Sequence, residues 1–313
     1  MESFNQTSVT EFIFMAFTKS TRYPALLTAI FLLIYGIIIC GNILMILVIK
    51  VDSRLHTPMY FFVFNISYLD ICYTTTIVPQ TVRNLLSSKP SISPSNCAIQ
   101  MFFVVMLGAV QIVIITIMAY DRYVAICNPL HYKTMMSWPT CIMFICLAYI
   151  ISFMLSFVMV MSVFSLPYSG KAEIQHFYCD VGQILVLSTA EEQRHFVVEL
   201  ITFCLGLGLF TIPFLLMVIS YMFIISAVLK IRTNEGHHKA FSTCSSHITV
   251  VVVEYCCLGF MYFRPKTAYG VDKDKVFVLI FTYATPILNP VIYTLRNKAV
   301  KQGFWKLTST KLC

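Results

Sequence analysis

An Asp-Arg-Tyr sequence, Asp121 to Tyr123, is the most informative group of ionisable residues in the chain. It closes a charge-free apolar run, Cys97 to Tyr120, that is long enough to cross a bilayer as a helix. Charge at the end of such a run is tolerated where lipid gives way to water. Arg122 is therefore predicted to point inward beneath a helix bundle, with its guanidinium bound by Asp121. Such a pair would act as a latch that links helices. An ordinary interfacial charge pair is the alternative.

Other polar residues lie inside apolar runs, where each costs free energy unless it is satisfied. Asn42 can join helices through its amide, and Asp70 is an acid within a membrane helix, which by default indicates function. In the Asn-Pro-x-x-Tyr sequence that begins at Asn289, Pro290 bends the helix and Asn289 can satisfy the freed backbone groups. Tyr293 then lies one turn further on. The bend is interpreted as a moving part, with a purely structural kink as the alternative.

The elements that position these residues are predicted to be membrane helices. Hydrophobic residues make up 58% of the 313 residues and charged residues only 12%, against about a quarter charged in soluble domains. The chain is therefore predicted to be an all-α membrane protein, a single seven-transmembrane helix bundle covering residues 1–313. Each predicted span is near or above the ~20 residues that a membrane helix needs. The approximate helices are 24–50, 58–82, 97–126, 138–163, 196–230, 240–263 and 274–295.

The predicted orientation in the plasma membrane places residues 1–23 outside the cell and the tail, residues 296–313, in the cytoplasm. Basic residues are only slightly more numerous on the cytoplasmic side, but acids are concentrated on the other side, which leaves a positive inner face. A sequon at Asn5 predicts glycosylation and an extracellular amino terminus. The basic tail, with Trp305, is predicted to form a short amphipathic helix on the membrane surface, and Cys313 is a candidate for palmitoylation.

The cysteine positions argue against a disulfide scaffold, although the chain has 12 cysteines. All but two fall in predicted helices, at the cytoplasmic edge or in the tail. Cys97 and Cys179 fall in predicted extracellular segments, where disulfides form. Their pairing would join the start of the third span to the long loop between the fourth and fifth. Two free thiols are the alternative.

Several groups of residues, in order along the chain, resemble one receptor family. Asn42, Asp70, Asp121 to Tyr123, the Asn-Pro-x-x-Tyr sequence and the Cys97–Cys179 pair resemble rhodopsin-like G-protein-coupled receptors. Longer motifs resemble vertebrate olfactory receptors in particular; these are Leu55 to Phe62, Met118 to Cys127, Ser220-Tyr221, Lys239 to His247 and Pro286 to Asn297. The resemblance runs from about Phe12 to Lys298 and is closer to the tetrapod-enriched class than to the fish-like class.

The resemblance implies a receptor whose helix bundle binds an odorant, a small and mostly hydrophobic molecule. Movement of the sixth helix would then open the inner face to a stimulatory, olfactory-type heterotrimeric G protein and raise cyclic AMP. The implied partners are the odorant, the G protein and the lipid bilayer, without nucleic acid, cofactor, metal or enzymatic activity. The implied switch and coupling residues are Asp121, Arg122, Tyr123, Tyr221, Lys239, His247, Asn289, Pro290 and Tyr293.

A ligand cavity is predicted from residues at helical spacing on the outer halves of four spans. Its lining is apolar with a few hydroxyls, which is typical of a site for a small hydrophobic molecule, although apolar stripes also arise from packing alone. The predicted lining residues are Met101, Val104, Val105, Gly108, Ala109, Leu205, Gly206, Leu209, Tyr255, Leu258, Gly259, Tyr262, Leu279 and Thr282. The resemblance places a switch-linked tyrosine at Tyr255.

Two positions depart from the family in charge. Gln111 stands where relatives usually carry a glutamate that can share a sodium ion with the acid at Asp70, so cation affinity is expected to fall. Glu254 replaces an apolar residue, and a carboxyl deep in a membrane helix needs a partner or a proton. Because Tyr255 should face the cavity, Glu254 points about 100° aside. A protonated, hydrogen-bonded carboxyl is therefore favoured over a counter-ion for an amine ligand.

The long outer loop differs from that of many relatives in its number of cysteines. Relatives often have a second pair, whereas Ser169 and Ser188 or Thr189 occupy the matching positions here. His176 to Asp180 resembles a loop motif proposed to bind copper or zinc, and its His and Cys suit a metal. Cys179, however, cannot be both a disulfide partner and a thiolate ligand. The prediction is therefore no metal.

Proteins of other classes fit the sequence less well. An ion-coupled transporter would show two related halves and paired buried charges, and neither is visible. An enzyme would need a catalytic constellation, and the chain has no nucleophile elbow, phosphate loop or metal-binding pair of histidines. The alternative within receptors is a rhodopsin-like receptor for a non-odorant small molecule such as an amine. The absence of an acid at Val104 argues against it.

Overall fold

The computed structural model describes residues 9–15, 23–170, 172–230, 244, 247–256, 259, 271–296 and 298–309. Six long helices, one shorter apolar helix and a tail helix organise these residues. In chain order they are α1 (Pro24–Val51), α2 (Pro58–Leu86), α3 (Pro94–Cys127), α4 (Trp138–Phe164), α5 (Glu192–Leu229), the shorter α6 (His247–Cys256), α7 (Val271–Arg296) and the tail helix α8 (Lys298–Ser309). Helices α1 to α5 are each long and apolar enough to cross a membrane. Shorter helical turns are Ser53–Leu55, Pro129–His131, Tyr132–Met135 and Val181–Val186.

Prolines mark where the helices begin and where they bend. Helices α1 to α4 each have a proline at the first or second position, where the missing N–H is not needed. The Ser93 side chain also caps α3 by accepting from the backbone N–H of Asn96. Pro286 and Pro290 lie inside α7, where they leave carbonyl groups of the preceding turn without their usual donor.

Several helices extend beyond the predicted spans. Helix α2 continues to Leu86, past the predicted end at residue 82, and α5 begins at Glu192 rather than at residue 196. The prediction placed each end near the last uncharged residue, which marks the edge of the lipid. A helix needs only its own backbone hydrogen bonds, so it continues through Arg83 and Asn84 into water.

Helix α3 is central to the bundle and packs against α2, α4 and α5, while α1 packs against α2, α7 and α8. The main core cluster joins buried side chains of α1 to α7, including Phe62, Ile114 and Val250. We call the end of the bundle that carries Cys97 and Cys179 the disulfide end, and the opposite end the Arg122 end.

A three-stranded sheet covers part of the disulfide end. Strand β1 (Phe12–Phe14) pairs antiparallel with β2 (Ser91–Ile92) and parallel with β3 (Glu173–Ile174). The Phe12 side chain is fully buried against the aromatic rings of Phe164 and Tyr168. The segment before α1 is therefore fastened to two loops of the bundle.

An ion pair supports the same edge of the sheet. The Lys89 ammonium lies 2.6 Å from a Glu11 carboxylate oxygen and lowers the pKa of that carboxyl. Both side chains are well exposed, so the pair contributes little to stability. The backbone pairing and the burial of Phe12 hold the strand.

The tail helix α8 docks against the end of α1. Val300 is fully buried, and Arg54 Nη1 donates to Gln302 Oε1 at 2.9 Å. At Gly303 the two helices approach so closely that a Cβ would lie 2.8 Å from Cγ1 of Val48. A side chain at position 303 would therefore push α8 away from α1.

Gly303→Ala should destabilise the folded protein by about 1–3 kcal/mol, because the added methyl overpacks the contact with Val48. Val48→Ala removes the opposing methyl, so the double variant should be less destabilised than the sum of the single variants. The measurement is the midpoint of thermal unfolding of the purified protein. Gly36→Ala is the matched control, since a Cβ there meets no described atom within 4 Å. Strict additivity of the two changes would contradict the contact.

Candidate ligand site and helix switch

A disulfide between Cys97 and Cys179 fixes the long loop to the start of α3. The Sγ–Sγ distance is 2.03 Å and the Cα–Cα distance 5.6 Å, and both residues are fully buried. The predicted pairing is confirmed. Cys179 therefore has no thiolate to offer a metal at the His176 motif, and His176 Nδ1 instead accepts from the Tyr178 backbone N–H at 3.4 Å.

The two aromatic residues before Cys179 fold back into the bundle. Phe177 and Tyr178 are 2% and 3% exposed and form a small cluster with Ile77 of α2. Tyr73, Val104 and Leu279 pack against this cluster from α2, α3 and α7. We call Phe177 and Tyr178 the aromatic block. Sequence reasoning missed it, although two large aromatic residues directly before a loop cysteine were a visible signal.

The structure distributes the predicted ligand residues over different surroundings. Val104 and Leu279 pack against the cluster that Ile77 forms with the aromatic block, whereas Met101 is fully buried within a separate cluster at the disulfide end, together with Phe12. Ala109 and Thr282 are also buried, and Val105 packs against the cluster that holds Met101. The predicted lining residues that are half-buried are Gly108, Leu205, Gly206, Leu209 and Gly259. Leu258 and Tyr262 lie outside the described residues.

Tyr255 forms the contact between α6 and α5. Its ring lies 5.3 Å from the ring of Phe210 and 5.2 Å from that of Phe214, measured between centroids. The side chain is 8% exposed. Tyr255 is therefore placed where a shift of α6 relative to α5 changes an aromatic contact.

Asp70 connects three helices in the middle of the bundle. Gln111 Nε2 of α3 donates to Asp70 Oδ1 at 3.3 Å, and Asn289 Nδ2 of α7 donates to Asp70 Oδ2 at 3.0 Å. Asp70 is fully buried. Asn42 adds α1 by donating to the carbonyl of Pro286 at 3.1 Å, one of the groups near the proline bend. The four predicted polar positions in α1, α2, α3 and α7 therefore form one connected centre.

Glu254 faces α7 rather than α5. Its carboxyl lies against the hydroxyl of Thr285, and one carboxyl oxygen, Oε2, has no hydrogen-bond partner among the described residues. Glu254 is 7% exposed, so a charged form would be costly. The neighbouring Tyr255 points to the α5 aromatic rings, in keeping with the angle expected between successive helix residues.

The Arg122 end holds the predicted charge pair. Arg122 Nε lies 3.0 Å from Asp121 Oδ2, and the Tyr132 hydroxyl donates to Asp121 Oδ1 at 2.7 Å. Burial and the adjacent carboxylate raise the pKa of Tyr132, so the phenol keeps its proton and remains a donor. Asp121 is fully buried and Arg122 is 12% exposed. Asp121 thus holds both Arg122 and the segment that follows α3; Tyr123 packs against Phe223 of α5.

His247 joins three helices above this pair. Its Nε2 donates to the carbonyl of Ile115 in α3 at 3.1 Å, and in the neutral ring Nδ1 accepts from the hydroxyl of Tyr221 in α5. His247 is fully buried and bonds within the bundle. Tyr293 is also buried, and its hydroxyl has no partner among the described residues. Lys239 lies outside the described residues.

Comparison with known proteins places the chain in a family. Residues 41–293 match the family described as "7 transmembrane receptor (rhodopsin family)". The chain is 44% identical to human olfactory receptor 10Q1 over 95% of this chain and 93% of that protein. It is 39% identical to human olfactory receptor 10V1 over 98% of both chains, and 42% identical to mouse olfactory receptor 5M5 over 97% of this chain and 94% of that protein. The chain belongs to the olfactory receptors of the rhodopsin family.

Family membership confirms three predictions for this receptor. The fold is a seven-transmembrane bundle, the protein crosses a membrane several times, and it is a receptor rather than an enzyme. The contacts of Asp121, His247 and Asp70 therefore join helices of a receptor bundle.

The Gln111 contact predicts weak sodium dependence. The amide of Gln111 donates to Asp70, whereas a glutamate at position 111 would add a second carboxylate that needs a cation. Wild-type receptor should therefore have the same thermal midpoint in NaCl and in choline chloride. Gln111→Glu should gain stability in NaCl, by about 1.4 kcal/mol when Na⁺ is tenfold above its Kd.

Two observations complete the sodium experiment. Adding Asp70→Asn to the Gln111→Glu variant should remove the sodium effect, because position 70 then no longer supplies a carboxylate opposite the glutamate at position 111. An equally strong sodium effect in the wild type would contradict the explanation.

Proposed function

We propose that this receptor is gated by an odorant, a small and mostly hydrophobic molecule that binds between α3, α5, α6 and α7. The observation that carries the proposal is the position of His247. It joins α3, α5 and α6 near the Arg122 end, and the same three helices border the proposed ligand space nearer the disulfide end. A ligand that moves α6 at Tyr255 therefore acts on the helix that His247 holds.

The residues proposed to contact the ligand are five of those predicted from the sequence. Val104, Gly108, Tyr255, Leu279 and Thr282 lie on helices that face one another across the interior. The surfaces are apolar, and the Thr282 hydroxyl, which is buried, has no partner among the described residues. An apolar lining with a few polar groups is typical of sites for small hydrophobic molecules.

The proposed orientation places the disulfide end outside the cell. A disulfide persists in an oxidising compartment, which is the extracellular side of the plasma membrane. Residues 1–8, with the proposed glycosylation site Asn5, lie outside the described residues but precede a strand at the disulfide end. The Arg122 end then faces the cytoplasm, where Arg122, Tyr221 and Tyr293 are available to a G protein once the helices separate.

The proposed G protein is of the stimulatory, olfactory type, so that activation raises cyclic AMP. In this mechanism Asp121 holds Arg122 in the resting state, and movement of α6 breaks the contacts of His247 with Tyr221 and Ile115. The inner ends of α3, α5 and α6 then separate. The resting contacts do not need to store strain. The ligand shifts the equilibrium between the resting arrangement and the one with separated helices, because it binds the separated arrangement more tightly.

An odorant panel tests the proposed function. Cells that display the receptor on their surface should show a dose-dependent rise in cyclic AMP to at least one compound among neutral, acidic and amine odorants. Arg122→Ala and Tyr255→Ala should reduce that response to the level of untransfected cells. Ile150→Ala, at an exposed position of α4, is the control and should leave it unchanged. A fall in cyclic AMP on stimulation would contradict the stimulatory coupling.

An amine ligand is the second candidate because Glu254 Oε2 has no partner among the described residues. We expect Glu254→Gln to leave amine responses within about twofold of the wild type, since the carboxyl faces Thr285 and not the α5 side of the cavity. The measurement is the half-maximal concentration for amines and for neutral compounds of similar shape. Selective loss of amine responses would instead make Glu254 the counter-ion.

A further inference from the structure

Three attachments to α2 and α3 hold the aromatic block in place. The disulfide of Cys179 holds its end, and the Cys179 backbone N–H donates to Gln100 Oε1 of α3 at 3.0 Å. The Thr81 hydroxyl of α2 donates to the carbonyl of Phe177 at 3.3 Å. Gln100 Nε2 also donates to the carbonyl of Thr76, which ties α2 to α3 at the same level. The block therefore sits as a fixed wall between α2, α3 and α7.

Gly108 lies one turn below that wall and faces the interior of the bundle. Val104, four residues before it, packs against the cluster of Ile77, Phe177 and Tyr178, and Gln111, three residues after it, bonds to Asp70. Residues three and four apart share one face of a helix, so position 108 shares the face of these two interior residues. A Cβ built at Gly108 meets no described atom within 4 Å. Among the described residues, open space thus begins at Gly108, one turn along α3 from the residue that packs against the cluster of the block.

We propose that Phe177 and Tyr178 are ligand-contacting residues that, together with the missing side chain at Gly108, set the largest ligand the receptor accepts. The inference rests on the proposed function and names its substrate class: compact hydrophobic molecules that fit below the block and beside α3. Elongated molecules would have to enter the volume that Phe177 fills between α2 and α7.

The physical reason is close packing around an apolar ligand. A cavity wall that cannot move rejects a ligand that is one or two carbon atoms too large, by about tenfold or more. The block cannot retreat, because the Phe177 carbonyl is bonded to Thr81 of α2 and the adjoining Cys179 is bonded to Gln100 and Cys97 of α3. Removing the Phe177 ring would extend the space, whereas a side chain at position 108 would shorten it.

Reactivity of a cysteine at position 108 tests the wall without any ligand. Intact cells that display the Gly108→Cys receptor are treated with methyl or with benzyl methanethiosulfonate. Mass spectrometry then measures the rate at which each reagent modifies the introduced cysteine. The methyl reagent should react at least tenfold faster than the benzyl reagent. Adding Phe177→Ala should raise the benzyl rate about tenfold and leave the methyl rate unchanged. Ala109→Cys, at a buried neighbouring position, should react with neither.

Matched variants make the outcome decisive. Phe102→Ala removes a phenyl ring that packs against Phe103 and Phe153, away from the block, and should leave the ratio of the two rates unchanged. If Phe177→Ala fails to reach the surface, Phe177→Leu removes the ring and keeps the apolar contact. An equal rise in both rates, or no rise in either, would overturn the proposal.

The agonist assay tests the same inference on ligands. For any agonist of the cyclic AMP panel, a straight-chain homologous series should show its optimum shifted by one or two carbon atoms: longer in Phe177→Ala and shorter in Gly108→Val. An unchanged optimum in both would overturn the size limit while the odorant function stands. Silence across the panel, with the expected cysteine reactivity, would overturn the odorant function while the wall stands.

Discussion

The structure depends on one constraint: a polar group inside a bilayer must find its partner within the protein, because lipid offers none. Asp70 meets this constraint with one donor from α3 and one from α7, so its two oxygens fix the relative positions of three helices. Asn42 meets it by bonding to the carbonyl of Pro286, beside the bend that the prolines of α7 impose. The hydrogen bonds that satisfy these buried polar groups are thus also the bonds that join the helices into a bundle.

The two ends of the bundle are held by different interactions, and this difference matters for a receptor. The disulfide end is held by the covalent Cys97–Cys179 bond, by the short sheet and by the buried rings of Phe12 and Phe177. These groups have little freedom to rearrange. The Arg122 end relies on hydrogen bonds of Asp121 and His247, which can break and form without changing any covalent bond. A rigid disulfide end and a reversible Arg122 end suit the proposed mechanism, in which a small ligand moves helices at a distance from its site.

The sequence predicted the features that composition and local chemistry determine. Apolar runs predicted the spans, the cysteine positions predicted the disulfide, and the polar residues at Asp70 and Asn289 were predicted to lie in the interior. The sheet was not predicted, because strands of two and three residues have no alternation to detect and their partners are distant in the chain. The contacts of Phe177 and the burial of His247 were also missed, since loop closure and helix rotation depend on tertiary packing.

The face of α7 explains how the bundle accommodates two buried carboxyl groups. Thr285 and Asn289 are one turn apart on that face, and they contact Glu254 of α6 and Asp70 of α2 respectively. Side chains four residues apart lie about 5–6 Å from each other at Cβ, so the two carboxyls approach α7 at neighbouring positions. The carboxyl of Glu254 therefore lies one turn of α7 away from the position where Asp70 is bonded. Because Glu254 and His247 are both on α6, the proposed movement of α6 would shift the Glu254 carboxyl relative to α7, whereas Asp70 would stay bonded to α3 and α7.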